Sequence, residues 1–154
     1  MAGREDRASR SIAAPASKIF AALTDPGALE VWLPPSGMTC RVTHYDAVLG
    51  GQLCLTLTFV ESGGGQGKST PDSDEVCSDV VELVPDRRIG WRSVFVSDDP
   101  AFAGAMTMTW NLRPDVGGTR VDIVASDVPP GIDDSDHALG MASSLAQLAK
   151  FVTG

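Results

Sequence analysis

Long apolar runs, positive charge, histidine and paired cysteines are all scarce in this sequence, and each scarcity excludes something. No stretch approaches the roughly 20 consecutive apolar residues of a membrane span. Lys and Arg number 12 against 20 Asp and Glu, for a formal net charge of −8. Nucleic-acid binding rests largely on neutralising phosphates with Lys and Arg, so this balance argues against a nucleic-acid partner. The same repulsion opposes anionic membrane surfaces. His44 and His137 are far apart, and no Cys-x-x-Cys pair accompanies them, so neither metal nor other cofactor is expected. Cys40, Cys54 and Cys77 are an odd set; Cys54 and Cys77 fall in strand-like runs and read as small buried hydrophobes of a reducing cytoplasm. The polar opening ten residues have no apolar core of a secretory signal.

What is present is a globular composition. The chain has 154 residues, 43% hydrophobic and 21% charged, which predicts one domain over 1–154 with residues 1–6 frayed. A chain of this length buries enough surface to fold without a disulfide or a metal.

Periodicity divides the chain into elements. Arg7–Ala13 reads as an opening strand, and Pro15 as the first residue of a helix that carries Ile19, Phe20 and Leu23 on one face and stops at Asp25-Pro26. A second short helix covers Gly27–Trp32 before Pro34-Pro35. The period then changes to two. Leu53, Leu55, Leu57 and Phe59 alternate with Cys54, Thr56 and Thr58; Val76–Leu83 and Ile89–Val96 follow as strands. Met106, Met108, Trp110 and Leu112 alternate with polar residues, and Val121 and Ile123 continue beyond a turn at Gly117-Gly118. Ala138, Met141, Leu145, Leu148 and Val152 form one helical stripe, with Asp133, Asp134 and Asp136 at its start and Lys150 near its end, complementing the helix dipole. Gly140, Ala142, Ser143 and Ser144 leave room beside that stripe.

The motifs of common chemistries are incomplete. Ser62–Ser69 looks like a phosphate loop, but Ser62 stands where the first glycine belongs, and Pro71 with an acidic run replaces the required helix. The segment Ser62–Asp74 is expected to be a mobile hairpin loop. There is no Gly-x-Ser-x-Gly elbow, and no cysteine has a histidine partner in the pattern. Asp74, Glu75, Asp79 and Glu82 form an acidic row that reads as a solvated strand face. His137, in the first turn of an acidic helix, is expected to be exposed. Large soft side chains are the stronger signal: a curved sheet with a helix across it leaves an apolar cavity, and methionine adapts to varied ligands.

The order strand, two short helices, antiparallel meander and long final helix resembles the START-like (SRPBCC) superfamily. Within it the chain is most similar to bacterial single-domain relatives of the heat-shock protein 90 ATPase activator. The likeness is carried by Ala14-Pro15 with Ile19-Phe20, Asp25-Pro26 with Trp32-Leu33-Pro34-Pro35 and Gly37-Met38. Further matches are Glu82-Leu83-Val84-Pro85, Met106 to Trp110, Gly117-Gly118-Thr119 and Gly140-Met141 to Ser144-Leu145. The resemblance implies an α+β helix-grip fold, a curved antiparallel sheet wrapped around the C-terminal helix over a hydrophobic cavity. Members include lipid and hormone carriers and polyketide cyclases. The activator itself has a separate chaperone-engaging domain for which this chain has no room, so co-chaperone activity is not carried over.

Three functions compete. The favoured one is binding of a small apolar or amphipathic molecule by Trp32, Met38, Leu57, Phe59, Trp91, Phe95, Met108, Trp110, Met141 and Leu145. The second is a cyclase or hydrolase using His44, Tyr45 or Glu82 as a polar cavity group; no catalytic set is assigned. The third is a stress-response or chaperone-accessory protein. Homodimerisation is left open. Because strand faces are read from alternation, a one-residue shift would exchange them.

Overall fold

In the computed structural model, the described residues are 4–34, 38–59, 73–95 and 104–153. The expected loop Ser62–Asp74 lies outside them as far as residue 72, and its last two residues, Ser73 and Asp74, open a strand instead. The elements run β1 (Glu5–Ile12), α1 (Ala16–Thr24), α2 (Pro26–Trp32), β2 (Met38–Tyr45), β3 (Gln52–Phe59), β4 (Ser73–Val84) and β5 (Arg88–Phe95). Then come β6 (Gly104–Asp115), β7 (Gly118–Ser126) and α3 (Asp134–Thr153). All seven strands join one antiparallel sheet in the order β1-β7-β6-β5-β4-β3-β2. The sheet curves around α3, which packs on β1, α1 and α2. This is the α+β helix-grip arrangement that the resemblance implied.

Strand β1 begins two residues before Arg7. Glu5 and Asp6, expected to be frayed, pair with Ser126 and Ala125 of β7. Pro15 is the N-cap of α1, one residue before the helix. A single aspartate separates the first two helices: the Asp25 carboxylate accepts from the Ala28 N–H at 3.1 Å, and Pro26, which needs no partner for its nitrogen, follows. At the β6–β7 hairpin, Gly117 takes a positive φ of 76°, and a Cβ on Gly118 would lie 2.1 Å from the Ile12 carbonyl oxygen. Only glycine fits both positions.

Helix α3 buries Met141, Leu145, Leu148, Ala149 and Val152. Ala138, expected at the head of that stripe, is exposed; His137 takes its place, four residues before Met141, and is not exposed as expected. Its side chain keeps only 14% exposure, and its Nδ1 lies 2.7 Å from Asp6 Oδ2. The carboxylate also accepts from Arg4 Nη2 at 2.8 Å, so β1 and the first turn of α3 are tied through one acid. Asp133 caps the helix by accepting from the Asp136 N–H at 2.9 Å.

The cysteines correct the expectation of two buried hydrophobes. Cys54 and Cys77 are directly opposite in the β3–β4 register, on the sheet face away from α3, and are joined by a disulfide. Cys77 is exposed; Cys40, on the inner face of β2, is the buried free thiol.

Candidate functional site

Alternation along four neighbouring strands brings one apolar surface to the inner face of the sheet. Leu53, Leu55 and Leu57 of β3, Val76 of β4, Trp91 of β5, and Met108 and Trp110 of β6 line a cavity of about 230 Å³ there. Leu33, just past α2, and Ser144 of α3 close its other side, while Ser78 and Ser93 supply hydroxyls from β4 and β5. Ser78 and Ser93 are register partners, and their oxygens lie 2.7 Å apart. An apolar cavity of about 150 Å³ takes benzene, so this space is suited to a somewhat larger molecule.

Three tryptophans stand behind this surface. Trp110 lies edge-on to Trp32, with ring centroids 5.4 Å apart, and to Trp91 at 6.0 Å. The Trp32 indole N–H donates to the Ala22 carbonyl at 3.0 Å. That carbonyl is one that α1 cannot satisfy itself, because the residue four positions on is Pro26, which has no N–H. The next carbonyl, of Leu23, accepts from the Tyr45 hydroxyl at 2.9 Å. Burial pushes the Tyr45 hydroxyl up to about 12, partly offset by the nearby Trp91 N–H. That N–H makes no bond of acceptable geometry, and the buried N–H of Trp110 is likewise without a partner among the described residues. Burial, with a smaller contribution from the Glu30 carboxylate, raises the Cys40 thiol to about 11 and keeps it protonated.

The structure brings Leu57, Trp91, Met108 and Trp110 together around the cavity. Trp32, Met141 and Leu145 are buried in the adjoining core and do not line it. Met38, Phe59 and Phe95 have strand backbones, but their side chains lie outside the described residues.

None of the three polar candidates lines the cavity, and two β-bulges give the physical reason for His44 and Glu82. The β2–β3 register shifts between Val42 and His44, so the inner face passes from Val42 to Tyr45 and His44 is left exposed. The β4–β5 register shifts between Val80 and Glu82, so Leu83 returns to the core against Ile89. Glu82 instead accepts from Arg88 at 3.1 Å, with both side chains nearly half exposed. A bulge inserts one residue and inverts the alternation beyond it. Tyr45 faces inward, but its hydroxyl is committed to the Leu23 carbonyl.

Sequence reasoning missed Leu33, Leu53, Leu55, Val76, Ser78 and Ser93 as lining residues, although the leucines of β3 alternate in phase with Leu57. The two serines were findable: they fall in phase with Val76 and Val80 on β4 and with Trp91 on β5. Ser144 belongs to the small residues already noted beside the helix stripe.

A larger groove, about 540 Å³, lies on the outer face across β1, β7, β6 and β5 and includes Arg7, Arg88, Arg113 and Asp122. Most of its cations are met by carboxylates: Asp122 holds Arg113, Glu5 holds Arg7, and Glu82 holds Arg88, while Arg87 has no acidic partner among the described residues. The groove is polar and solvated, whereas the smaller cavity is walled by apolar side chains. Among the described residues, no group of three or more His, Cys, Asp or Glu is placed to hold a metal ion.

Comparison with known proteins agrees with this architecture. The pattern of the family described as Activator of Hsp90 ATPase homolog 1-like protein matches residues 13–153. Protein CV1439 from Chromobacterium violaceum is 31% identical and superposes with a TM-score of 0.83, with 97% of each chain covered. Protein NE0264 from Nitrosomonas europaea is 22% identical, with a TM-score of 0.73 over 97% of this chain and 94% of that one. The AHSA1-like protein from Aeromonas hydrophila is 16% identical, with a TM-score of 0.74 over 97% and 92%. The last two show a shared fold alone, and no curated protein matches the sequence. With nearly the whole chain matched and the same sheet wrapped on the same helix, the protein belongs to the Activator of Hsp90 ATPase homolog 1-like family, a branch of the START-like (SRPBCC) fold.

Proposed function

We propose that this chain acts as a single START-like domain over residues 1–154 that binds a small apolar or amphipathic molecule in the cavity between β3–β6 and α3. The observation that carries the reading is an inner-face space walled by leucine, valine, methionine and tryptophan, with serine hydroxyls as its polar groups. Folds of this class commonly hold hydrophobic ligands between sheet and helix. Leu57, Trp91, Met108 and Trp110 are the proposed contacts, backed by Trp32, Met141 and Leu145. Phe59 and Phe95 are proposed as their neighbours on β3 and β5, and Met38 as a neighbour on the adjoining strand β2. Removing apolar surface from water at about 25 cal/mol per Å² supplies several kcal/mol before association costs, which is compatible with micromolar binding.

A cytoplasmic location is part of this reading, and the Cys54–Cys77 disulfide weighs against it. No helix among the described residues is long and apolar enough to cross a membrane. The acidic charge balance supports a partner that is neither nucleic acid nor an anionic membrane surface.

The test is titration with an environment-sensitive apolar dye, followed by dye and tryptophan emission. Saturable one-site binding is expected, with at least a tenfold loss in Met108→Trp, whose larger ring takes up the space, and little change in melting temperature. Binding that survives Met108→Trp unchanged would place the site elsewhere. Native mass spectrometry of protein from its own host would then identify a retained ligand.

A further inference from the structure

Two hydroxyls in an apolar wall need an explanation. The inner row across β3, β4, β5 and β6 runs Leu53, Ser78, Ser93, Met106. The rows on either side carry Leu55 with Val76, and Val80 with Trp91 and Met108. The serines therefore interrupt the apolar face at one shared row, between Val76 and Val80 on β4 and next to Trp91 on β5. Ser78 is 8% exposed and Ser93 is half-buried, and among the described residues the one side-chain hydrogen bond of the pair is between their own oxygens, at 2.7 Å.

That arrangement leaves a surplus. Two hydroxyls carry two protons; one lies between the oxygens, and the other has no acceptor among the described residues. The indole N–H groups of Trp91, near the Tyr45 hydroxyl, and of Trp110, in the same wall, also lack well-formed hydrogen bonds among the described residues. Unpaired buried donors are destabilising, whereas replacing both members of a buried polar pair by apolar groups is close to neutral. β-Branched apolar residues would also suit these strand positions better. Fold stability alone thus gives no reason for serine at both sites.

We propose that the Ser78–Ser93 pair is the polar anchor of the cavity, and that the ligand is an apolar body carrying one hydrogen-bond-accepting oxygen, a ketone or an ether-like group. The inference rests on the cavity reading and adds to it the chemical class of the ligand. The spare serine proton donates to that oxygen, while the leucine, methionine and tryptophan walls take the hydrocarbon.

The experiment compares indane with 1-indanone, two molecules of nearly the same shape that differ by a carbonyl, in wild type and in the Ser78→Ala/Ser93→Ala double variant. Affinities are read by tryptophan emission, and the carbonyl stretch of bound 1-indanone by infrared difference spectroscopy. The expected result is that the preference for ketone over hydrocarbon falls about tenfold in the double variant. The carbonyl stretch, lowered by hydrogen bonding in wild type, should return to its value in an apolar solvent. The Ser78→Ala/Ser93→Val double variant, which restores a strand-forming side chain, should do the same if the double alanine variant folds poorly. An unchanged preference and an unchanged stretch would overturn the anchor while leaving the cavity reading in place. Failure of both molecules to bind wild type would defeat the cavity reading and the anchor together.

Discussion

Trp32 stands edge-on to Trp110, their ring centroids 5.4 Å apart and their planes at 78°. The contact joins the last residue of α2 to an inner position of β6. Both rings are essentially excluded from solvent. The Trp32 N–H is meanwhile fixed on Ala22, whose carbonyl Pro26 cannot serve. One side chain thus closes a helix end and supports the wall of the cavity.

The two contributions of Trp32 separate by substitution. Trp32→Phe keeps most of the buried ring but leaves the Ala22 carbonyl without a donor, which should cost about 1–3 kcal/mol. Trp32→Ala also opens a cavity and should cost about 3–5 kcal/mol. Denaturant unfolding measures both. A Phe variant within about 0.5 kcal/mol of wild type, the range of an ordinary surface change, would show that the N–H contact is dispensable.

The order of the elements was legible because periodicity and breakers agree along most of the chain. The Leu53–Phe59 and Met106–Leu112 alternations give the faces of β3 and β6 directly, and Asp25-Pro26 gives the helix boundary. The phase beyond a bulge was not legible. Nothing in residue types marks Thr43 or Val81 as an inserted position, since either side chain suits either face of a strand. Unbroken alternation would carry the inner face from Val42 to His44 and from Val80 to Glu82; each bulge reverses it and turns both side chains away from the cavity. The Cys54–Cys77 link was hidden for a related reason: the pairing depends on the β3–β4 register across a loop, and connectivity does not follow from the cysteine positions alone.

Acid should loosen the tie between β1 and α3. Hydrogen bonding from Arg4 holds the Asp6 carboxyl below the usual carboxylate range; burial opposes this, and the bond from His137 reinforces it. Asp133 and Asp134 also face Arg4 and share its charge. Because the folded value lies below the unfolded one, near about 3.9, the stabilisation is complete above that unfolded value. It is lost as pH falls through the folded value. The stability difference between wild type and Asp6→Asn should therefore shrink steadily below about pH 4. A difference that grows on acidification would contradict the assignment.

Thiol chemistry should distinguish the three cysteines. Unreduced native protein should show no rapidly reacting thiol, because Cys40 is buried and its thiol is raised to about 11. Unfolding without reductant should release one thiol, and unfolding after reduction three. In reduced native protein the exposed Cys77 should be labelled ahead of Cys40. Opening the link, which closes a sequence separation of 23 residues, should cost about 3 kcal/mol on a chain-entropy basis. Two or more reactive thiols in unreduced native protein would refute the pairing.

Gln147 should govern how readily the cavity opens. Its side-chain amide donates to the Trp32 carbonyl at the end of α2 and to the Pro34 carbonyl just beyond it, and so clamps that segment to α3. Leu33, between those two carbonyls, and Ser144, three residues before Gln147 on α3, are both lining residues of the cavity. The clamp therefore spans the seam at which helix α3 meets the segment after α2. Gln147→Ala removes both bonds while every cavity residue keeps its side chain. Stability should fall by about 1–3 kcal/mol, the cost of leaving partly buried acceptors unpaired. Because the walls remain but separate more easily, both association and dissociation of an apolar dye should quicken, with a smaller change in equilibrium affinity. Stopped-flow mixing measures the two rates. A variant destabilised as expected but with both rates unchanged would show that ligand enters by another route.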